Sequence, residues 1–280
     1  VPELDSERSN RHLLNIPIAF LFFVIFLAGL SFGSFLNVIV YRLPARKSIV
    51  KPPSSCPSCE KLLGPVDLIP LIGYILLRGR CRYCGVKISL RYPVVELCTG
   101  LLFLFTFYHF GFNLSALFYL TLLYLLLTIS LIDLEHRIVP NTLVATGFII
   151  ALMLQIPGLA ALVFNVPEAM LTGRPLSDAL FGMLAGGGVL LLVFIISRGG
   201  MGAGDVKLIA MIGFYVGLSG TAVVLLLAFL FGALVGVTFM VLGKLTRKDA
   251  LPFAPYLALA ALIQVFWGEQ IWHWYVNLLR

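Results

Sequence analysis

The chain has 280 residues, 60% of them hydrophobic and only 12% charged, with a formal net charge of +7 and a mean hydropathy of +1.01. A soluble domain of this length does not carry so much apolar sequence, and the apolar runs lack the alternation of outer-membrane barrel strands. The fold class this leaves is an all-α polytopic membrane protein, because helices satisfy their own backbone polar groups in lipid. The positive charge does not point to nucleic acid. Half of the 20 Lys and Arg lie in one loop, where a position beside anionic headgroups accounts for them.

Residues 1–15 form a short polar tail of mixed charge, and Ile16 to Val40 reads as the first span. That run is too long for a signal-peptide core and ends in Tyr41-Arg42-Leu43-Pro44, so it is expected to be retained. Residues 41–92 are the one sizeable polar segment. Apolar runs follow at about 93–110, 114–132, 142–164, 178–197, 206–218, 221–243 and 253–268, which predicts about eight transmembrane helices. The sixth, 206–218, is short and punctuated by glycine, as for a helix that is tilted or broken near its end. Three parts follow: 1–40, tail and first span; 41–92, a small loop domain; 93–280, a seven-span bundle.

Orientation follows from Lys and Arg. The 41–92 loop carries ten of them; with that loop in the cytoplasm and eight alternating spans, the cytoplasmic side holds sixteen and the other side four. Both termini then face outward. The same alternation puts Asp133, at the end of the third span, and Asp205, at the start of the sixth, at the cytoplasmic face although they are 72 residues apart.

An acid at the edge of the hydrocarbon costs a few kcal/mol, roughly, and so marks a functional candidate. Two neighbouring aspartates cannot both ionise cheaply. The ionised member can activate water against a carbonyl while the protonated one donates to the developing oxyanion, which is peptide-bond hydrolysis without a metal. The structural alternative is that each acid serves a helix end, Asp205 as an N-cap. Asp205 sits in Gly200-Met201-Gly202-Ala203-Gly204-Asp205-Val206-Lys207, where Gly202 and Gly204 let backbone approach closely. Lys207 is expected to pair with lipid phosphate or to tune the acidic pair. Fourteen of the 26 glycines lie between Gly182 and Gly243, and the spacings Gly182-x-x-x-Gly186 and Gly232-x-x-x-Gly236 predict close helix packing around Asp205.

The loop holds Cys56-Pro57-Ser58-Cys59 and Cys81-Arg82-Tyr83-Cys84. Two such pairs at this interval present four thiolates to one tetrahedral ion, usually zinc, and with all four positions filled by protein the site reads as structural. Gly85 follows the second pair, where it helps the backbone turn; Glu60 takes that place in the first. Arg80, Arg82 and Lys61 are expected to offset thiolate charge, and Cys98, in the second span, to fill packing space. Asn37 and Glu96 sit near the cytoplasmic ends of the first two spans, and Glu96 suits the first turn of its helix.

Taken together these residues resemble the type IV prepilin leader peptidases, bacterial membrane aspartyl proteases with a Gly-x-Gly-Asp motif. The resemblance runs through Gly33-Ser34-Phe35-Leu36-Asn37-Val38, Tyr41-Arg42-Leu43-Pro44, the four cysteines, and Arg91-Tyr92-Pro93 to Glu96-Leu97. It continues through Ile132-Asp133 with Val139-Pro140-Asn141, Gly202-Ala203-Gly204-Asp205-Val206-Lys207 and Leu251-Pro252-Phe253-Ala254-Pro255. Ala254 and Val139 depart from it, where the family usually has Gly and often Ile. The resemblance implies that Asp133 and Asp205 are the catalytic pair. It implies substrates, prepilins or pseudopilins of type IV pilus or type II secretion systems, cut after a glycine at the cytoplasmic face of the inner membrane. It also implies N-methylation of the new amino terminus from S-adenosylmethionine. No nucleotide-binding turn is recognisable; the cysteine loop and its flanks, Gly79 and Arg91 among them, are the candidate methyltransferase region. Competing readings are an ion- or proton-coupled transporter with the Asp pair as relay, a peptidase without methyltransferase activity, and a zinc-bearing membrane scaffold.

Overall fold

The computed structural model describes residues 17–164, 175–197, 201–244 and 251–278. The polar tail, Arg174, Arg198, Gly200, Arg247, Lys248 and Arg280 lie outside them, so the expected sidedness of the termini does too. The described residues are helical apart from two isolated bridges, Ser55 with Leu62 and Arg80 with Lys87. Among the described residues the α-helices are eight: α1 (Ile18–Arg42), α2 (Ile72–Leu76), α3 (Arg91–Phe110), α4 (Leu114–His136), α5 (Asn141–Phe164), α6 (Leu176–Ile196), α7 (Ala203–Val241) and α8 (Ala254–Leu278). By length and composition, α1, α3, α4, α6 and α7 can each cross a bilayer.

The runs expected as separate sixth and seventh spans are two helical segments of α7 that meet at Gly217 (φ 71°, ψ −175°), its one non-helical residue, as expected of a sixth span broken near its end. The chain folds back there: a Cβ on Gly213 would lie 2.9 Å from Thr221 Oγ1, and one on Gly186 would meet both Ile209 and Thr221. The break has a cause. A positive φ is open to glycine, and the N–H that it frees at Leu218 is taken up by Asp178 of α6 at 3.0 Å. Thr221 Oγ1 donates to the Gly217 carbonyl at 2.6 Å.

The chain forms two compact units. The first contains residues 17–37 and 53–105. Here α1 and α3 meet backbone to backbone: a Cβ on Gly29 would lie 2.8 Å from Gly100 Cα, and one on Gly33 2.7 Å from Glu96 Cα. Phe32 and Phe103 stack nearby, with ring centroids 5.2 Å apart. Between Pro53 and Leu90 lie a short 3-10 turn (Pro65–Leu68), α2 and the cysteine pairs. Cys98 is exposed among the described residues, where it was expected to fill packing space.

The second unit contains residues 38–52 and the described residues from 106 onward. Its centre is the first half of α7, where Leu208, Ile209, Met211, Ile212 and Tyr215 are fully buried. A helix apolar on every side is a buried one, and α7 accordingly packs on α6, α8, α5 and α4. Glycine sets two of these contacts. Gly182 of α6 faces the Gly213 carbonyl and Gly217 so closely that no Cβ fits, and Gly147 of α5 leaves room for Met211. The Tyr215 hydroxyl donates to the Gly147 carbonyl at 2.9 Å. The pair at Gly232 and Gly236 is not tight; its nearest neighbours, Phe253 at 3.4 Å and Leu251 at 3.2 Å from a Cβ, are side chains.

Candidate active site and candidate metal centre

Asp133 occupies the last turn of α4. The helix ends because Arg137 turns into the left-handed region (φ 54°) and closes its N–H on the Asp133 carbonyl at 2.8 Å. The Asp133 side chain runs the other way, into protein, and the residue is 5% exposed. Its Oδ2 accepts from the backbone N–H of Ala254 at 3.2 Å. That N–H is available because Ala254 is the first residue of α8, where N–H groups have no partner within the helix.

Asp205 is the third residue of α7. Gly202, in extended conformation, is the N-cap, so Asp205 is not a cap residue itself. Its carboxylate nevertheless reaches back to the Gly202 N–H, as an acid at this position does in a capping box. Service to the helix start therefore describes part of its role. The remainder is its neighbour: Asp205 is 7% exposed, and Asp133 is the charge that acts on it. Arg137 acts on Asp133 in turn. Two buried carboxylates from different helices thus lie close enough for their charges to act on each other.

The glycines of the motif are accounted for by distance. A Cβ on Gly202 would lie 3.2 Å from Asp205 Oδ2, and one on Gly204 would lie 2.8 Å from Val139 Cβ. Gly204 thus lets the first turn of α7 close on the segment that follows Asp133. Lys207 does something the sequence did not suggest. Its ammonium donates to Asn141 Oδ1 at 3.0 Å, tying the start of α7 to the start of α5. The Ala254 amide was also missed as a partner of Asp133; the signal available was Pro252 and Pro255 bracketing a helix start.

The four cysteines converge. All four Sγ atoms lie within 4.8 Å of one another, and Cys56 and Cys84 are 3.8 Å apart. A tetrahedral ion with zinc–sulfur bonds of ~2.3 Å would hold its sulfurs ~3.8 Å apart. The residues present therefore fit zinc. The two knuckles have the same backbone. In each, the first Cys N–H bonds to the carbonyl five residues on (Lys61 at 3.0 Å, Val86 at 2.8 Å). The residue after the second Cys (Glu60, Gly85) donates back to the first Cys carbonyl at 2.8 and 2.9 Å.

The chemistry of the donor set also asks for a cation. The Cys59 and Ser58 N–H groups hold the Cys56 thiol down at about 6. For Cys84, the Val86 N–H pulls downward, but burial and the neighbouring Cys59, Cys81 and Cys56 push it up to about 11. Four sulfurs this close stay protonated in part unless a positive ion neutralises them. Arg82 is not that charge, since its guanidinium is committed to Asp67, with Nη2 at 2.6 Å and Nε at 2.8 Å from Oδ1. Lys61 lies over the Tyr83 ring at 5.3 Å, joining one knuckle to the other.

Glu60 pays for its position, with φ at 57°, where Gly85 sits at 70°. A non-glycine residue in that region costs about 1 kcal/mol. Glu60→Gly is therefore expected to raise the resistance of the loop to unfolding by about 1 kcal/mol, read as slower metal release to a chelator. Unchanged or faster release would refute this.

Gly79 and Arg91 lie on either side of the second knuckle. Gly79 has φ 67°, and a Cβ there would meet the Tyr74 hydroxyl at 2.7 Å, so packing accounts for its lack of a side chain. Arg91 begins α3 and is half-buried. Glu96, placed by sequence in the first turn of that helix, lies beyond it and is 8% exposed. Its Oε2 accepts the Leu71 N–H at 2.8 Å, which ties α2 to α3.

Comparison with known proteins adds a family. Residues 27–110 match the Bacterial Peptidase A24 N-terminal domain, and residues 120–237 match the Type IV leader peptidase family. A protein named Prepilin leader peptidase/N-methyltransferase from Pseudomonas aeruginosa is 36% identical over 95% of this chain and 97% of its own length. Proteins of the same name from Legionella pneumophila (32% identical; 96% of this chain, 98% of the relative) and Bacillus subtilis (33%; 91% and 98%) are similar along nearly their whole length. No solved structure matches.

Proposed function

This chain belongs to the Type IV leader peptidase family, and from that premise we propose that it is a bifunctional membrane enzyme. It cleaves the leader of type IV prepilins or pseudopilins after glycine and N-methylates the residue so exposed. The single observation that carries the protease reading is the meeting of two buried aspartates, Asp133 and Asp205, with the Ala254 amide holding one of them.

Two buried carboxylates whose charges act on each other titrate as a pair and share a proton. The ionised member takes a proton from water, whose oxygen attacks the scissile carbonyl carbon; the protonated member donates to the carbonyl oxygen. Collapse of the tetrahedral species breaks the carbon–nitrogen bond, and the proton held by the first carboxyl passes to the leaving amine. The Ala254 N–H fixes the orientation of the Asp133 carboxylate. Gly202 and Gly204 let Asp205 reach this geometry, and Lys207 with Asn141 braces the helix starts beneath it. If Gly204 serves closure on Val139, Gly204→Ala should lower leader cleavage about ten-fold, and Val139→Ala added to it should restore most of the loss. A Gly204→Ala enzyme of normal rate would contradict this.

The four cysteines hold zinc as a structural ion, since no ligand position is left for substrate. The active site faces the cytoplasm of a multi-pass protein of the inner membrane, with both termini on the other side. The basic 41–92 loop lies on anionic headgroups, and α2 supports this by exposing Ile72, Ile75 and Leu76. Nucleic acid is not a partner.

The methyl donor, S-adenosylmethionine, supplies an electrophilic methyl group. Arg91 fits its carboxylate in charge and partial burial, and Gly79 shapes the neighbouring turn. Incubating the protein in membranes with a prepilin and reading product masses tests both activities. Loss of the leader mass, and a further methyl mass when the donor is present, are the expected results; an intact prepilin would overturn the protease.

A further inference from the structure

The protease site uses no residue of 27–110, yet that part contains a buried polar seam between α1 and α3. Asn37 is 5% exposed and Glu96 is 8% exposed. The Asn37 side-chain N–H donates to the Tyr92 carbonyl at 3.2 Å, which fixes how its amide is turned. Among the described residues its Oδ1 is buried with no hydrogen-bond partner. One turn away on the same two helices, Glu96 accepts from the Leu71 N–H and from the Ser34 hydroxyl. Ser34 and Asn37 lie three apart on α1, and Tyr92 and Glu96 four apart on α3, so each pair shares a helix face.

The seam presents a carboxylate and an amide oxygen and is short of donors. Leaving a buried acceptor unmade costs about 1–3 kcal/mol. A second acceptor beside a carboxylate raises that penalty for anything except a cation or an N–H donor. Helix packing does not require either group: Gly29, Gly33 and Gly100 already let the backbones meet, and an apolar pair would fill the same space.

We infer that Asn37, Glu96 and Ser34 bind a primary ammonium group, and that the ammonium is the α-amine which cleavage exposes on the pilin. This rests on the bifunctional reading above. Before an amine can be methylated its ammonium form must lose a proton. Glu96 takes it: the N–H bond breaks with its electron pair staying on nitrogen, and an O–H bond forms on the carboxylate. The neutral amine is then held by the Asn37 oxygen.

The test is binding, with the full-length protein in lipid nanodiscs and no methyl donor. Three synthetic peptides with the apolar sequence of a pilin amino terminus serve as probes: one with a free α-amine, one N-acetylated, and one N-acetylated with a lysine-bearing leader attached. Wild type is expected to bind the free amine at least about ten-fold tighter than the acetylated form. Glu96→Gln and Asn37→Leu should each shrink that preference to about two-fold or less, while leader cleavage in the same preparations shows that the fold is intact. Equal binding of free and acetylated peptides by wild type would overturn the site. Preference for the leader lysine would overturn its assignment to the α-amine. Parallel loss of cleavage and binding in both variants would reduce the seam to packing and overturn it as well. A wild type that discriminates between the amines yet adds no methyl supports this site while overturning the methyl-transfer reading, so the two fail separately.

Discussion

Asp205→Asn is expected to lower leader cleavage by at least about a thousand-fold, and Asp133→Asn by as much. The size follows from the chemistry. An asparagine oxygen can still accept from the Gly202 or Ala254 N–H, so both helix starts keep their hydrogen bonds. What is lost is the exchangeable proton, and with it the means of making water a nucleophile or of protonating the carbonyl oxygen. The folded protein should extract from membranes in normal yield. Cleavage of a prepilin by either purified variant at a rate near wild type would sink the pair.

The second large effect concerns the cysteine loop. Replacing Cys56 and Cys81 with serine should remove about one zinc per chain and with it the order of residues 53–90. Its regular structure is slight among the described residues, a four-residue 3-10 turn, a five-residue helix and two isolated bridges, and beyond the cysteines it relies on single contacts such as Arg82–Asp67 and Leu71–Glu96. Metal binding of ~10 kcal/mol or more is then most of its folding energy. The readout is limited trypsin digestion, because Lys61, Arg78, Arg80, Arg82 and Lys87 all lie in this loop. Sites slow to cut in wild type should be cut rapidly in the double variant and after chelation. Lowering pH should act in the same direction, since protons compete for the thiolates that bind the ion. A metal-free wild type that resists trypsin would contradict the structural role.

Much of this was legible before any coordinates. Chemistry that depends on residue type and spacing reads directly: the paired Cys-x-x-Cys knuckles met as expected, and Asp133 and Asp205 came together. Charge counting found that pairing because lipid restricts each acid to one depth. Contacts made by backbone were harder to read. The Ala254 amide that holds Asp133 leaves no mark on residue 254 itself, since every residue but proline has that N–H. Gly29 and Gly33 are where α1 meets α3, a contact that nothing in the sequence analysis pointed to. Gly232 and Gly236 carry the same spacing and face only side chains, so small-residue spacing marks a possible approach and the partner helix decides it. The break between the sixth and seventh runs was legible in their glycines, but the group that takes up the freed Leu218 N–H, Asp178 on another helix, was not. The Lys207–Asn141 contact was not legible because the two residues lie 66 positions apart.

The central claim is that the two aspartates act as one unit, and a mutant cycle tests it most directly. Leader cleavage would be timed for wild type, Asp133→Asn, Asp205→Asn and the double variant in matched proteoliposomes. If one proton is shared between them, either single change disables the site, and the double variant loses no more than a single one. Losses that multiply, or one single variant that keeps substantial cleavage, would show that the aspartates work independently.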